Sequence, residues 1–399
     1  MTVSTERSQT GGTRPRQSTA LRVVFAGGGT GGHVYPALAV AAALCRKRSG
    51  MQLLFIGGDR LEAQLVPAAG LAFRSISVHG IAGNPLSGGM RRVRALVELA
   101  LGLPLLQSIS LLRSFRPHVV VGTGGYVSGP VLLAARVLSI PSITMEGNRT
   151  PGLTSRVLAR LVDVVAVAYP ELAGFFARRL HRGASVVVTG LPIRQEIASA
   201  TREDGAAALG LDPSRTTMLV LGGSLGSKRL NQALLGALER LAKSDQSLLR
   251  GIQVLHITGR WPGGGASSFP ALEYRALSYL DRLYPEAMAV ADVVVARAGA
   301  STIAEITGRG VAAVLAPWSG AACGEQVLNA APLGQAGAAV VVPDEELTAD
   351  RLAGILTDLL QDHGKRVRMA EASRALGRPH AAAAVADIAL ELAARRAGG

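Results

Sequence analysis

Two stretches of the sequence begin alike. Val23-Val24-Phe25-Ala26 runs into GGGTGGHVYPALAVA (27–41), and Met218-Leu219-Val220-Leu221 runs into GGSLGSKRLNQALL (222–235). Each joins a short aliphatic run to a glycine loop and then to a helix-forming run, which is how a parallel α/β unit opens. Nearly half the chain separates them, so the pair predicts two Rossmann-like domains in tandem.

The runs between them fit that reading, because short β-rich segments alternate with helical ones throughout. In the first half the strands read Arg22–Ala26, Leu53–Ile56, Ser75–Val78, His118–Gly122, Ser142–Met145, Val164–Val167 and Val186–Thr189. In the second they read Met218–Leu221, Val254–Thr258, Tyr274–Leu277, Val293–Ala296, Ala312–Ala316 and Ala339–Val342. Near-continuous apolar runs, rather than alternation, predict parallel strands covered on both faces. The polar stretch from Ser199 to Ser214, with Asp212-Pro213, marks the entry to the second domain. The expected organisation is an arm over 1–20, a first domain over 21–198 and a second over 199–379. A final helix within 380–399 is expected to cross back to the first domain.

Composition narrows the function. Of 399 residues, 48% are hydrophobic and 18% charged, which excludes a disordered chain. Cys45 and Cys323 are the two cysteines, too few for a disulfide framework or a Cys-rich zinc site, and they fit a reducing compartment. Residues 1–20 are polar, with Gly11, Gly12 and Pro15, and lack the apolar core of a secretory signal, so they read as a disordered arm. The net charge of +14 is uneven: residues 21–199 carry +12 and residues 200–399 carry none. A basic first half points to an anionic surface or ligand for that half alone. Aromatics are 4% and no nucleic-acid-binding motif occurs, so membrane phospholipid fits better than nucleic acid. Ala95 to Leu112, flanked by Arg91, Arg92, Arg94, Arg113 and Arg116, is apolar, but Glu98, Pro104 and Gln107 make a membrane span the least favoured of its readings. It reads either as helices packed in a core and broken at Pro104, or as a helix resting in a membrane interface.

The glycine loops carry the chemistry. Glycines let the backbone approach a ligand, and the following helix offers unpaired N–H groups and a positive dipole end. Gly27-x-Gly29-x-x-Gly32 matches a dinucleotide fingerprint, but the acid after the second strand, Asp59, comes late and behind Gly57 and Gly58. His33, at the start of the helix, is a candidate base. Gly222-Gly223-Ser224-Leu225-Gly226 also fits a hydrolase elbow, with His256, His363 and His380 available downstream. A pair of phosphate cradles explains both loops together. Glu305, in the helix opened by Arg297-Ala298-Gly299-Ala300-Ser301-Thr302, can accept from both hydroxyls of a ribose, or simply face the helix dipole. Gln326 and Asn329 share a helix face and can read sugar hydroxyls, or form an ordinary polar face.

The segments GGGTGGHVYPALAVA, GTGGYVSGP, EGNRTPGLTSR, GLPIR, GGSLGSKRLNQ, ARAGASTIAE and GEQVLNA occur in this order from Leu21 to about Gly337. Together they resemble the MurG family of bacterial glycosyltransferases. The resemblance implies a GT-B fold, two Rossmann-like domains facing across a cleft. It also implies an inverting, metal-independent transfer of GlcNAc from UDP-GlcNAc to lipid I or a related polyprenyl-diphosphate sugar. That reaction makes lipid II for peptidoglycan at the cytoplasmic face of the membrane, with the enzyme bound peripherally. Donor contacts are implied at Thr30, Gly31, Gly32, Asn148, Arg194, Ser224 and Leu280, at Ala300, Ser301, Thr302, Ile303, Ala304 and Glu305, and at Gln326. His33, Tyr126 and Glu146 fall where the family acts on the acceptor, and each is a candidate for the proton transfer. No D-x-D occurs, and helix N-termini with Arg194 can stabilise a leaving diphosphate without a metal. The sequence departs from the family at Met145 and Gly147 (HEQN reads MEGN), Leu191 (GNPVR reads GLPIR), Leu225 and Glu325. These departures leave open a paralogue with another acceptor or UDP-sugar, and a protein that binds UDP-sugar or lipid without turnover.

Overall fold

The computed structural model describes residues 20–78, 102–223, 226–261, 269–321 and 324–398. The N-terminal arm up to residue 19, the arginines at 91, 92 and 94, residues 95–101, Ser224, Leu225 and Cys323 lie outside them.

The first sheet comprises β1 (Arg22–Gly27), β2 (Gln52–Gly57), β3 (Ala72–Ser75), β4 (Val119–Gly124), β5 (Ser142–Glu146), β6 (Val164–Val167) and β7 (Ser185–Val188). The second comprises β8 (Thr216–Leu221), β9 (Ile252–Ile257), β10 (Glu273–Leu277), β11 (Val293–Ala296), β12 (Ala312–Leu315) and β13 (Ala339–Val341). The orders are β3-β2-β1-β4-β5-β6-β7 and β10-β9-β8-β11-β12-β13, with every pairing parallel. Both are doubly wound, and the winding reverses beside β1 and beside β8. Ligands of such sheets bind at that reversal, outside the strands' carboxyl ends. The two glycine loops leave β1 and β8, so both stand at reversal points.

The central strands are Val, Ile, Leu and Ala because both faces are covered. Val23 and Phe25 pack under one layer of helices, and Val24 and Ala26 under the other. β3 departs from the expected Ser75–Val78. It pairs Leu54 with Ala72 and Gly57 with Ser75, and β2 ends at Gly57, so the later residues have no partner to extend along. Pro104 stands in the first turn of a helix, Leu103–Phe115, where its missing N–H costs nothing; the expected helix before it lies outside the described residues. Among the described residues no helix is long and apolar enough to cross a membrane.

The chain passes between the sheets twice. Ile193 and Ile197 already pack in the second core with Leu219 and Ile306, so the first crossing comes a few residues before 199. The return follows Gly377, where a Cβ would lie 2.3 Å from the Thr307 carbonyl oxygen; only glycine lets the chain pass there. The helix Ala381–Gly398 then packs Val385, Ala386 and Ala389 into the first core beside Val40 and Leu44.

One buried ion pair fixes the floor of the second loop. Arg297 donates to Asp344 Oδ1 at 2.6 Å, to the Ala316 carbonyl at 2.9 Å, and to Ser227 Oγ from both Nε and Nη2. Ser227 in turn caps the helix Lys228–Ser244 by accepting from Leu230 N. Burial pushes the Asp344 carboxyl up, but the Arg297 hydrogen bond and charge more than offset it, leaving it below its ordinary value. Asp344→Ala should destabilise the protein by about 3–5 kcal/mol, since it strands a buried guanidinium. Urea titration checks this. Because the carboxyl is depressed, its contribution is present at neutral pH and should fade as pH falls through its folded value. A loss below about 1 kcal/mol would mean that water already screens the pair.

Candidate active site

The carboxyl ends of the two sheets face each other across a cleft of about 1000 Å³. Thr30, Gly31, Gly32, His33, Glu146, Asn148, Arg194, Leu280, Ala300, Ser301, Thr302, Glu305 and Gln326 line it together. Most of the expected site residues are therefore brought to one place. Of the described ones, four are not among those lining it. Ile303 is buried in the second core, and Ala304 packs between the cores of the two domains. Asn329 is buried, its amide donating to Asn148 Oδ1 and accepting from Arg149 N across the domain boundary. Tyr126 lies over the first glycine loop, where a Cβ on Gly29 (φ +93°) would sit 3.2 Å from its ring.

The two glycine loops, alike in sequence, differ in use. In the first, Gly29 N donates to Glu62 Oε2 at 2.9 Å, and Gly58 N donates to Glu62 Oε1 at 3.0 Å. A Cβ on Gly28 would lie 2.3 Å from the same carboxylate. Glu62 is wholly buried and takes from within the loop the Gly29 N–H that a phosphate would otherwise accept. The expected pair of phosphate cradles is thus corrected at this half of the first loop. The sequence hides Glu62, which reads as an ordinary first-turn acid of the helix Glu62–Ala68. The later half of the loop stays open: Thr30 is the N-cap of Gly31–Lys47 yet makes no capping bond, and Thr30 to His33 face the cleft.

His33 is held by the end of β4. Its Nδ1 lies 3.1 Å from the Thr123 carbonyl oxygen, which can only accept, so the proton sits on Nδ1 and Nε2 keeps its lone pair. Gly124 (φ +102°) makes this possible, since a Cβ there would lie 2.7 Å from Nδ1. Burial lowers the imidazole pKa, opposed by the Thr123 bond and by the charges of Glu146 and Glu62. Glu146 has less freedom, because Asn148 N donates to its Oε1 and Gly152 N to its Oε2, both at 2.9 Å.

On the second domain, Glu305 accepts from the Tyr284 hydroxyl at 2.8 Å. Burial pushes its carboxyl up to about 7, against the pull of Tyr284 and the Arg194 charge. Arg194 lies between two rings, 4.8 Å from the centroid of Tyr35 and 5.3 Å from that of Tyr284, and donates to the Asp281 carbonyl. Tyr35, from the first domain, bonds the Tyr279 hydroxyl at 2.7 Å and Asp281 Oδ1 at 2.9 Å. Gln326 spends its carbonyl on Ala298 N and Trp318 N, which leaves its NH₂ as the group it can offer. Tyr35, Tyr279, Tyr284 and Asp281 were not legible as site residues; the short run Tyr279-Leu280-Asp281 around an expected contact was the available signal.

The departures from the family pattern have a steric logic. A Cβ on Gly147 would lie 2.9 Å from Leu191 Cδ1, so Leu191 fills the space that a side chain at 147 would need. Met145, Gly147 and Leu191 all line the cleft, giving its first-domain wall an apolar step. Glu325 faces Glu146 across the cleft, and burial and then that like charge push its carboxyl up. The hydrolase reading finds no support from its histidines. His256 is buried, with Nε2 bonded to Asn231 Oδ1 and Nδ1 to the Tyr274 hydroxyl, and burial pushes it down to about 4. His363 and His380 line a different cavity.

The N-terminal domain model of glycosyltransferase family 28 matches residues 23–167, and the C-terminal domain model matches residues 217–390. A UDP-N-acetylglucosamine–N-acetylmuramyl-(pentapeptide) pyrophosphoryl-undecaprenol N-acetylglucosamine transferase from Moorella thermoacetica is 40% identical, covering 93% of this chain and 99% of that one. A relative of the same name from Desulfitobacterium hafniense is 39% identical, covering 94% of this chain and 100% of its own. Among solved structures, MurG of Acinetobacter baumannii is similar with a TM-score of 0.65 at 28% identity, covering 93% of this chain and 99% of that chain. The Neisseria meningitidis UDP-GlcNAc 2-epimerase, at 14% identity and a TM-score of 0.63 over 93% of this chain, shares the fold. The chain belongs to glycosyltransferase family 28.

Proposed function

We propose that this protein transfers GlcNAc from UDP-GlcNAc to the muramyl sugar of undecaprenyl-diphosphate-MurNAc-pentapeptide, converting lipid I to lipid II with inversion. The observation that carries it is the convergence, on one cleft, of a carboxylate suited to ribose and a histidine suited to a proton. They come from opposite domains. The nucleotide belongs to the second domain, with the ribose hydroxyls donating to Glu305, the uracil beside Leu280, and the diphosphate at the second loop and the start of Ala300–Arg309. Gln326 NH₂ and Asn148 address the GlcNAc hydroxyls.

In the transfer, a sugar hydroxyl of the acceptor attacks the anomeric carbon as its bond to the diphosphate oxygen breaks. Nε2 of His33 takes the hydroxyl proton, while UDP leaves with the bonding pair. Helix N-termini and Arg194 stabilise the charge that develops on UDP. Glu146 positions the loop from Gly147 to Gly152, since backbone N–H groups hold both its oxygens. Metal independence is part of this proposal. It is supported by the lack of a D-x-D sequence.

The protein would work peripherally on the cytoplasmic face of the membrane, through the basic first domain. Leu103, Leu106, Leu133 and Val137 are exposed there on two packed helices. Binding to anionic vesicles should weaken as salt rises, because the attraction is screened; salt-independent sedimentation would remove the charge from the account.

Two further outcomes test the site. UDP-GlcNAc, whose diphosphate diester does not titrate near neutrality, should bind more tightly as pH rises from 6 to 8. Glu305 must lose its proton to accept two ribose hydroxyls, so affinity should fall toward tenfold per pH unit below about 7. Tyr284→Phe removes a donor to the carboxylate and should move the midpoint upward. A flat calorimetric profile in the parent protein would take Glu305 off the ribose. With labelled UDP-GlcNAc and lipid I, lipid II should form in excess EDTA, and His33→Ala should lower kcat by about 10²–10⁴ with donor affinity unchanged. Activity restored only by Mg²⁺, or a His33→Ala variant altered only in acceptor KM, would overturn the metal or the base assignment respectively.

A further inference from the structure

A second cavity, of about 890 Å³, lies at the hinge and shares no lining residue with the cleft. Both crossings between the domains line it, over residues 193–202 and 379–383. Six cationic side chains reach it: Arg46 and Lys47 from the first domain, and Arg202, Arg309, Arg366 and Arg374 from the second. A single carboxylate, Asp292, lines it with them, and Arg202 already holds both its oxygens at 3.0 Å.

The remaining cations are not neutralised within the cavity. Arg309 gives its N–H groups to the carbonyls of Ala200 and Ala289, and Arg366 to those of Leu359 and Leu360, bonds that leave the charges in place. Lys47 pairs with Asp387 outside the lining. Arg46 and Arg374 have no acidic partner among the described residues. Arg374 packs on Gly310, the residue after Arg309: a Cβ there would lie 2.8 Å from Arg374 Nε. Arg309 is correspondingly destabilised as a cation, by burial and then by the charges of Arg374 and Arg202.

We propose that this hinge cavity is a binding site for a compact, multiply charged phosphate anion. Guanidinium forks match phosphate oxygens in pairs, and a cavity walled by one sign of charge concentrates counter-ions. The volume suits a small ligand rather than a macromolecule. Such an anion touches both crossings and cations of both domains, so it ties the domains at their hinge and opposes their separation.

The test is a calorimetric titration of the full chain with inorganic tripolyphosphate, made with UDP already saturating so that the cleft is filled. Binding should be seen, should weaken with salt, and should raise the melting temperature. Arg374→Gln should weaken it roughly tenfold, the scale of one charge-assisted hydrogen bond, and Arg46→Gln with Arg374→Gln should weaken it further. Both arginines are exposed and support no other side chain, so the variants should fold normally. Arg182→Gln, on a distant exposed turn, should bind as the parent does. No binding in the UDP-saturated parent, undiminished binding in the double variant, or equal weakening by Arg182→Gln would each overturn the site.

Discussion

The cleft exists as one site because Arg194 is held between Tyr35 and Tyr284. Neither domain alone contains both Glu305 and His33, the groups proposed to hold the ribose and to take the proton. The guanidinium stacks on a ring from each domain, and cation–π contacts of this kind contribute about 0.5–2 kcal/mol each. Tyr35 stands two residues after His33 on the same helix, and Tyr284 bonds Glu305. The contact that joins the domains thus also connects the two groups that the proposed chemistry uses. Asn329, bonded to Asn148 and Arg149, is a second tie on the same boundary.

Twin loops in twin folds have diverged by a single internal carboxylate. Glu62 accepts from Gly29 N and Gly58 N, and this fills the anion position of the first loop from within. The first domain keeps a helix N-terminus and a histidine open to the cleft, with the earlier half of its loop taken by Glu62. The second loop has no such internal anion among the described residues; behind it stand Arg297 and Asp344, which fix the backbone instead. In the proposed function, this difference favours the nucleotide on the second domain and the acceptor on the first.

The strands were legible because burial on both faces demands unbroken aliphatic runs, and this signal is local. The exception, β3, is set by where its neighbour β2 stops, which its own residues do not encode. The site residues were legible where they sit on glycine loops and helix starts, as at Thr30 to His33 and Ala300 to Glu305. What stayed hidden depends on non-local partners. Glu62 needs Gly29 and Gly58 to become an anion plug, and Tyr284 needs Glu305. Leu191 needs Gly147: two departures that look independent in the sequence are one steric exchange in the cleft wall. Asn329 presents the reverse case, a polar residue with sugar-reading spacing whose amide is committed to the domain boundary.

The account rests on the nucleotide binding the second domain while Glu62 keeps the first loop closed to it. A crystal structure with UDP bound tests that directly. The account predicts both ribose hydroxyls on the Glu305 carboxylate, uracil beside Leu280, and Glu62 still bonded to Gly29 and Gly58. Nucleotide density over Gly28 and Gly29, with the Glu62 carboxylate displaced, would contradict it.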